Sequence, residues 1–382
     1  MFKMNIIINY DINKIMKNML NQTDGWTVIN YDQNEFPFHK IIEEKLLDYV
    51  YSEHGSRINR LEDLHLDQSV MQNIEIVRQK MFSIFREEEF QNCYKLLAKF
   101  LIDTYADKSA LIQKTPTARI QPPSFMTTSF HSDAWYGHSE STNSFWMPLT
   151  NVTPDNTLNM APSRDLSNVT MNKLIQGNYS LKQINDICIT ATEPSKVKKG
   201  QILSFAPDMI HGAKMNTSNL TRISFDFRIV NTDKDLGHKP ISNYYRYDDL
   251  ISEKKEIKEV QNTKKITDGF LSYSNSCLGV NPKSQLMLCS SVAKDKGLVI
   301  QRNESEIYVF DYLPVLRHYL GYETPTFDGV IVFSIAIFNG RKDLGEQILN
   351  LAKQNFKQIL FAAEDILFTH KTDNKVILNK IR

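Results

Sequence analysis

Residues 129–138 read Ser129-Phe130-His131-Ser132-Asp133-Ala134-Trp135-Tyr136-Gly137-His138, and the pair His131 and Asp133 decides how the rest of the chain is understood. Alternate residues of a strand point to one face, so an H-x-D pair on a strand brings an imidazole and a carboxylate together. Such a pair occurs often by chance. Its weight comes from what accompanies it. His211, in Pro207-Asp208-Met209-Ile210-His211-Gly212, offers a second imidazole far along the chain.

Two His and one carboxylate are the facial triad of non-haem Fe(II) oxygenases, which leaves coordination positions open on the metal. Those positions suit a chelating 2-oxo acid and O2. Arg222 follows His211 by eleven residues, and Ser224 lies two further on. On a strand both share a face. A guanidinium captures a carboxylate through two parallel hydrogen bonds, and a hydroxyl adds a third. A strand running antiparallel beside the His211 strand would hold Arg222 at a distance from the metal, where the far carboxylate of 2-oxoglutarate lies. Arg228 shares that face and reads as a supporting or surface charge. The same three ligands also permit Zn(II) with a hydrolytic water. Arg222 and Ser224 discriminate, because a hydrolase needs no remote carboxylate clamp.

With these residues in view, positions 115–232 resemble the Fe(II)/2-oxoglutarate-dependent dioxygenase superfamily. His131-Ser132-Asp133-Ala134-Trp135-Tyr136-Gly137-His138, followed by Asn143-Ser144-Phe145-Trp146-Met147-Pro148-Leu149-Thr150, is similar to the branch of oxygenase-like proteins found in streptomycin biosynthesis. The resemblance covers about a third of the chain. It implies a double-stranded β-helix (jelly-roll) core, with His131, Asp133 and His211 as iron ligands. Arg222 and Ser224 would hold 2-oxoglutarate, and Asn143 is a candidate to hydrogen-bond the 2-oxo acid or the substrate. Fe(II), 2-oxoglutarate and O2 are then the cofactor and co-substrates. The implied reaction couples decarboxylation of 2-oxoglutarate to hydroxylation of a small, carbohydrate-like substrate. Arg119 and Gln121, on the strand before the metal motif, are candidates to reach substrate or co-substrate, with structural salt bridging as the equal alternative. Trp135, Tyr136 and His138 suit sugar stacking and hydroxyl recognition on a loop, with plain packing as the alternative.

Strand-like pieces surround this motif: Ala118–Gln121, Ser144–Leu149, Gln201–Phe205 and Arg222–Ile229, separated by turn signals such as Pro122-Pro123 and Thr153-Pro154-Asp155-Asn156. Residues 116–249 are therefore expected to form the β-rich core. Upstream, residues 1–115 read as mostly helical. Ile42, Leu46, Tyr49 and Val50 recur at helical spacing, as do Val70, Ile74, Val77, Met81 and Ile84, and then Leu97, Phe100, Leu101 and Tyr105. Downstream, residues 250–265 (LISEKKEIKEVQNTKK) alternate in charge and mark a linker. Residues 266–382 alternate strand, helix and strand, which predicts a small α/β domain with a mainly parallel sheet. That domain resembles one found beside bacterial carbohydrate-biosynthesis genes. Its layout is also similar to the catalytic domain of serine recombinases, but Ser272 stands where recombinases place an arginine and no basic tail follows. Ser274, Ser276 and Arg341 are candidates for a polar pocket at the carboxyl ends of its strands. A homo-oligomer formed through this domain is a further expectation.

Composition bounds these readings. The chain has 382 residues, 41% hydrophobic and 23% charged, which is ordinary for globular proteins and long enough for two or three domains. Lys and Arg number 45 against 44 Asp and Glu, so the formal charge of +1 gives no field to attract nucleic acid or an anionic membrane. Cys93, Cys188, Cys277 and Cys289 form no C-x-x-C pair, so a metal site must use nitrogen and oxygen ligands. The apolar run near the N-terminus is too short for a secretion signal, and no stretch has the ~18 apolar residues of a membrane span. A cytoplasmic oxygenase is the expectation. A non-catalytic scaffold in a carbohydrate-biosynthesis complex is the alternative, and intact metal ligands argue against it.

Overall fold

The computed structural model describes residues 24–105, 110–231, 245–246, 269–275, 278–280, 282–307, 310, 312–321 and 327–381. The charged segment 250–265, Ser276 and Cys277 lie outside the described residues.

A first strand, β1 (Trp26–Asn30), precedes four helices: α1 (Phe38–His54), α2 (Gln68–Gln72), α3 (Ile74–Ile84) and α4 (Glu88–Tyr105). Local chemistry sets their ends. Gly55 adopts φ +64° after α1 and donates its N–H to the Tyr51 carbonyl at 2.9 Å, a left-handed cap that disfavours a side chain. Asp67 caps α2 by accepting from the N–H groups of Ser69 and Val70 at 2.8 and 3.1 Å. The apolar stripes read from the sequence are buried: Ile42, Leu46 and Val50, then Val77, Met81 and Ile84, then Leu97 and Leu101.

The chain then runs through β2 (Ala110–Gln113), β3 (Thr117–Gln121), β4 (Thr142–Pro148), β5 (Asn159–Met160), α5 (Arg164–Gln176), α6 (Leu181–Thr190), β6 (Glu193–Pro194), β7 (Gln201–Phe205), β8 (His211–Gly212), β9 (Arg222–Asn231) and β10 (Tyr245–Arg246). Two antiparallel sheets result. The larger has the order β1-β7-β4-β9-β2-β10, with β3 also on β9, and the smaller has the order β6-β5-β8. Strand β9 organises the larger sheet. Its Ile223, Phe225, Phe227 and Ile229 join Ala118 and Ile120 of β3, and Phe145 and Met147 of β4, in one core with the helices. The Phe225 ring lies 5.4, 5.7 and 5.9 Å from those of Phe38, Phe85 and Phe90. The residues between these point to the other face: Arg222, Ser224, Asp226 and Arg228.

The β-rich stretch also holds two helices that the sequence reading did not single out, α5 and α6. A signal for α6 was present. Ser180 Oγ accepts from the Gln183 N–H at 3.3 Å, and Gln183 Oε1 accepts from the Ser180 N–H at 2.8 Å, a reciprocal capping box. Helix α5 has few apolar residues, and its buried positions include Ser167 and Thr170, so its periodicity is faint. Strand β1, in turn, falls in the stretch read as helical.

The described chain divides into two compact units. One comprises Met1–Ser132, His138–Val169 and Cys188–Ser252, and the other Asp133–Gly137, Thr170–Ile187 and Glu253–Arg382. The second unit contains β11 (Phe270–Ser274), α7 (Pro282–Asp295), β12 (Ile300–Ser305), α8 (Pro314–Leu320), β13 (Gly329–Val332), α9 (Lys342–Gln354), β14 (Gln358–Phe361), β15 (Ile366–Phe368) and α10 (Lys375–Leu378). Its sheet has the order β12-β11-β13-β14-β15. All pairs are parallel except the last, as the intervening helices require. Within this unit Trp135 is fully buried, with its ring 5.1 Å from that of Phe310 and its indole N–H on Met171 Sδ. Cys93, Cys188 and Cys289 are buried free thiols. Burial pushes the first two up to about 12 and Cys289 to about 11. Among the described residues no helix is long and apolar enough to cross a membrane.

Glu306 pins β12 to α8. It accepts from the N–H groups of Ile307, Val315 and Leu316 at 2.9, 3.1 and 3.0 Å, and from the Tyr273 hydroxyl at 2.9 Å. Burial nevertheless pushes its carboxyl up to about 7 from 4.5. Between these values the folded chain holds a proton that the unfolded chain has released, so stability falls as pH rises through this window. Thermal midpoints measured from pH 5 to pH 8 should therefore slope downward through this group, and Glu306→Gln should flatten the slope. An identical slope in the variant would show that Glu306 does not titrate there.

Candidate metal centre

Strand β8 carries His211, and its backbone is tied to that of His131. The His131 N–H donates to the His211 carbonyl at 2.9 Å, and the His211 N–H donates to the His131 carbonyl at 2.8 Å. This closed pair of bonds sets the two rings side by side, with centroids 4.3 Å apart. Each ring is oriented the same way. His131 Nδ1 lies 2.8 Å from the Ser129 carbonyl, and His211 Nδ1 lies 2.9 Å from the Met209 carbonyl. A carbonyl only accepts, so Nδ1 carries the proton in both rings and Nε2 carries the lone pair. Metal-binding histidines are commonly held this way.

Asp133 completes the set. One ligand atom from each of His131, Asp133 and His211 lies within 4.8 Å of the other two, and all three residues are buried. Asp133 does not continue a strand, as the H-x-D pattern predicted. It begins a short 3-10 turn, Asp133–Tyr136, so a turn and a bridge bring the side chains together instead of pleat alternation. Between the two ligands, Ser132 Oγ donates to the Pro207 carbonyl at 2.7 Å and ties the motif to the loop before His211. Helix α5 steadies that loop. Ser167 Oγ donates to the Asp208 carbonyl at 2.6 Å and accepts from the Ile210 N–H at 2.9 Å, while Arg164 Nη2 donates to Asp208 at 3.1 Å.

Gly212 is required beside His211. A Cβ there would meet the Phe130 backbone at 2.8 Å and the Phe130 ring at 2.7 Å.

A pocket of about 340 Å³, including its open mouth, adjoins the two histidines. Leu158, Phe205 and Trp146 give it apolar walls, and Arg119, Arg222, Asp226 and Arg228 give it charge. Arg222 and His211 do not lie on adjacent strands, as expected, but on different sheets that both line this pocket. Arg222 is 1% exposed. Its Nη2 donates to Thr127 Oγ1 at 3.0 Å, and its guanidinium lies 5.5 Å from the Trp146 ring centroid. Its Nε and Nη1 have no partner among the described residues. Burial, with the Arg119 charge adding to it, pulls its pKa down to about 9, and Asp226 opposes the shift. Ser224 Oγ accepts from the Trp146 indole N–H at 3.1 Å.

The other expected residues divide. Arg119 and Gln121 lie on the pocket face of β3, opposite Ser224 and Arg222. Gln121 is fully buried and spends its amide nitrogen on the carbonyls of Phe125 and Lys214, at 2.9 and 2.7 Å, which joins two loops. Asn143 pairs with Ile229, on the helix-facing side of the sheet, so strand alternation takes it away from Arg222. Trp146, three residues on, occupies the face assigned to Asn143. Trp135 packs in the second unit, and Tyr136 ends the same turn, half-buried. His138 is buried, with Nδ1 3.2 Å from the Tyr245 hydroxyl. Thr127, Trp146, Ser167 and Asp226 were not singled out from the sequence. For Asp226 the signal was the polar alternation Arg222-x-Ser224-x-Asp226-x-Arg228 in an otherwise apolar strand.

His211→Ala should abolish stoichiometric uptake of a divalent metal, measured by calorimetry with Mn(II). Gly212→Ala should weaken it by roughly tenfold, because the chain at Phe130 must move and turn the His131 and His211 rings with it. Undiminished uptake in the first variant would remove His211 from the site.

No curated protein matches the chain. Among solved structures it is similar to AviO1 from Streptomyces viridochromogenes Tue57, with 12% identity over 59% of this chain and 98% of that one and a TM-score of 0.35. It is also similar to SnoK, a non-haem alpha-ketoglutarate-dependent carbocyclase from nogalamycin biosynthesis, with 14% identity over 58% and 85% and a TM-score of 0.36. A third is EctD from S. alaskensis with bound Fe, with 14% identity over 58% and 77% and a TM-score of 0.34. Residues 38–224, which hold His131, Asp133, His211, Arg222 and Ser224, match the family model described as phytanoyl-CoA dioxygenase (PhyH), a family of Fe(II)/2-oxoglutarate-type non-haem oxygenases.

Proposed function

We propose that the protein is an Fe(II)/2-oxoglutarate-dependent oxygenase that hydroxylates a sugar-like or other polar metabolite in surface-carbohydrate or secondary-metabolite biosynthesis. The two antiparallel sheets are then the walls of a jelly roll, and the second unit is an accessory α/β domain. The observation that carries the reaction class is Arg222. A guanidinium at 1% exposure, with two nitrogens unpartnered among the described residues, is costly to bury. Its position in the pocket that also holds His131 and His211 supplies the reason: a carboxylate entering there meets an oriented, desolvated cation.

The residues present fit the absent groups. His131, Asp133 and His211 would hold the metal through two neutral imidazoles and one carboxylate, the donor set suited to Fe(II) with open positions. Iron and 2-oxoglutarate together supply the oxidising chemistry that protein side chains lack. The chain's own part is placement. Arg222 and Thr127 would bind the far carboxylate, and Trp146 fixes Ser224 while covering the guanidinium. Leu158 and Phe205 would exclude water from the face nearest the histidines. The sugar-like substrate class is supported by the resemblance of the 131–150 segment to the streptomycin branch.

Succinate release should depend on added Fe(II) and 2-oxoglutarate. Arg222→Gln should raise the KM for 2-oxoglutarate by roughly one to two orders of magnitude, as expected for losing one or two charge-assisted hydrogen bonds. Arg222→Lys should fall between, because it keeps the charge and loses the fork. A wild-type KM in the glutamine variant would refute the clamp.

A further inference from the structure

The pocket holds more positive charge than a 2-oxoglutarate clamp requires. Arg119, Arg222 and Arg228 line it against one wall carboxylate, Asp226. Asp226 is shared. Arg119 Nε donates to its Oδ2 at 3.0 Å, and Arg228 Nη1 donates to its Oδ1. The register of β3 on β9 sets Arg119 opposite Ser224, so its side chain reaches diagonally along the face to Asp226. Asp226 and Arg228 have 8% of their side chains exposed, whereas Arg119 has 27%. Arg119 makes no other hydrogen bond among the described residues, so its Nη1 and Nη2 are both uncommitted. Asp226 thus acts as a bracket. Held from behind by Arg228, it fixes the Arg119 guanidinium at its Nε edge and leaves the two-nitrogen end for something else.

We infer that the substrate carries an acidic group, a carboxylate or a phosphate, and that Arg119 reads it. Both groups match the planar two-donor end of a guanidinium, and the desolvated wall strengthens the contact. The inference rests on the reading above in assigning Arg222 to 2-oxoglutarate, which leaves Arg119 for the substrate. A neutral sugar would place no charge against Arg119, so the acid selects among polar metabolites. Arg119 is on this account a specificity residue, and Asp226 positions it.

Paramagnetic relaxation tests this without knowing the substrate. Protein loaded with Mn(II) and saturating 2-oxoglutarate is mixed with inorganic phosphate or with acetate, and relaxation of the phosphorus or methyl-proton signal reports an anion held near the metal. The expected result is enhancement by at least one probe, with affinity lowered about tenfold by Arg119→Gln and less by Arg119→Lys. Which probe responds separates a phosphate from a carboxylate. Absent enhancement, or enhancement equal in Arg119→Gln, would overturn the inference. So would a large loss of 2-oxoglutarate affinity in that variant, because Arg119 would then belong to the co-substrate. If the wild type binds neither Mn(II) nor 2-oxoglutarate, the oxygenase reading fails on its own. Calorimetry of phosphate and acetate on the wild type and Arg119→Gln then decides the anion site separately.

Discussion

Strand β9 must satisfy two opposite demands. Every second side chain is apolar and belongs to the core with the N-terminal helices, and the residues between are Arg222, Ser224, Asp226 and Arg228. A charged row of this kind is tolerable inside a protein only when its charges are paired or await a partner. Asp226 meets part of the need by bridging Arg119 and Arg228. Among the described residues Arg222 is left with two unpartnered nitrogens, and the pocket in front of it is where an anion would complete the balance. The aromatic packing of Phe38, Phe85 and Phe90 on Phe225 fixes the strand from behind. In this way packing on one face holds the polar groups of the other at fixed positions.

The two histidines follow a different logic. Their backbones are bonded directly to each other, and each ring is turned by a carbonyl two residues earlier in its own chain. The site is therefore encoded locally twice over, and two short segments far apart in sequence need only meet once. Ser132, Ser167 and Arg164 make that meeting specific through bonds to residues 207–210.

Much of this was legible in the sequence, and the misses have physical reasons. Helical stripes such as Val77, Met81 and Ile84 bury as a period of 3.6 requires. The triad residues converge, although the turn at Asp133 is tertiary in origin and no spacing rule reports it. Asn143 misled because residue type was weighed without strand parity; counting from Phe145 and Met147, which are apolar, assigns it to the core side. Trp135 was left between sugar stacking and plain packing because it follows the ligands, and it packs. Its neighbour Phe310 lies far along the chain, so no local signal marks it as packing. Helix α5 was hidden by its polar composition, and α6 carried a capping box that was not read.

Trp146 has a consequence of another kind. Its indole N–H is held by Ser224, and its ring faces the Arg222 guanidinium at 5.5 Å. The chain has three tryptophans, and this one forms part of the pocket wall. Indole emission responds to the electric field across the ring, and neutralising the guanidinium changes that field. The protein thus carries a natural chromophore beside the point where an anion would bind, and filling of the pocket can be followed by light without a label.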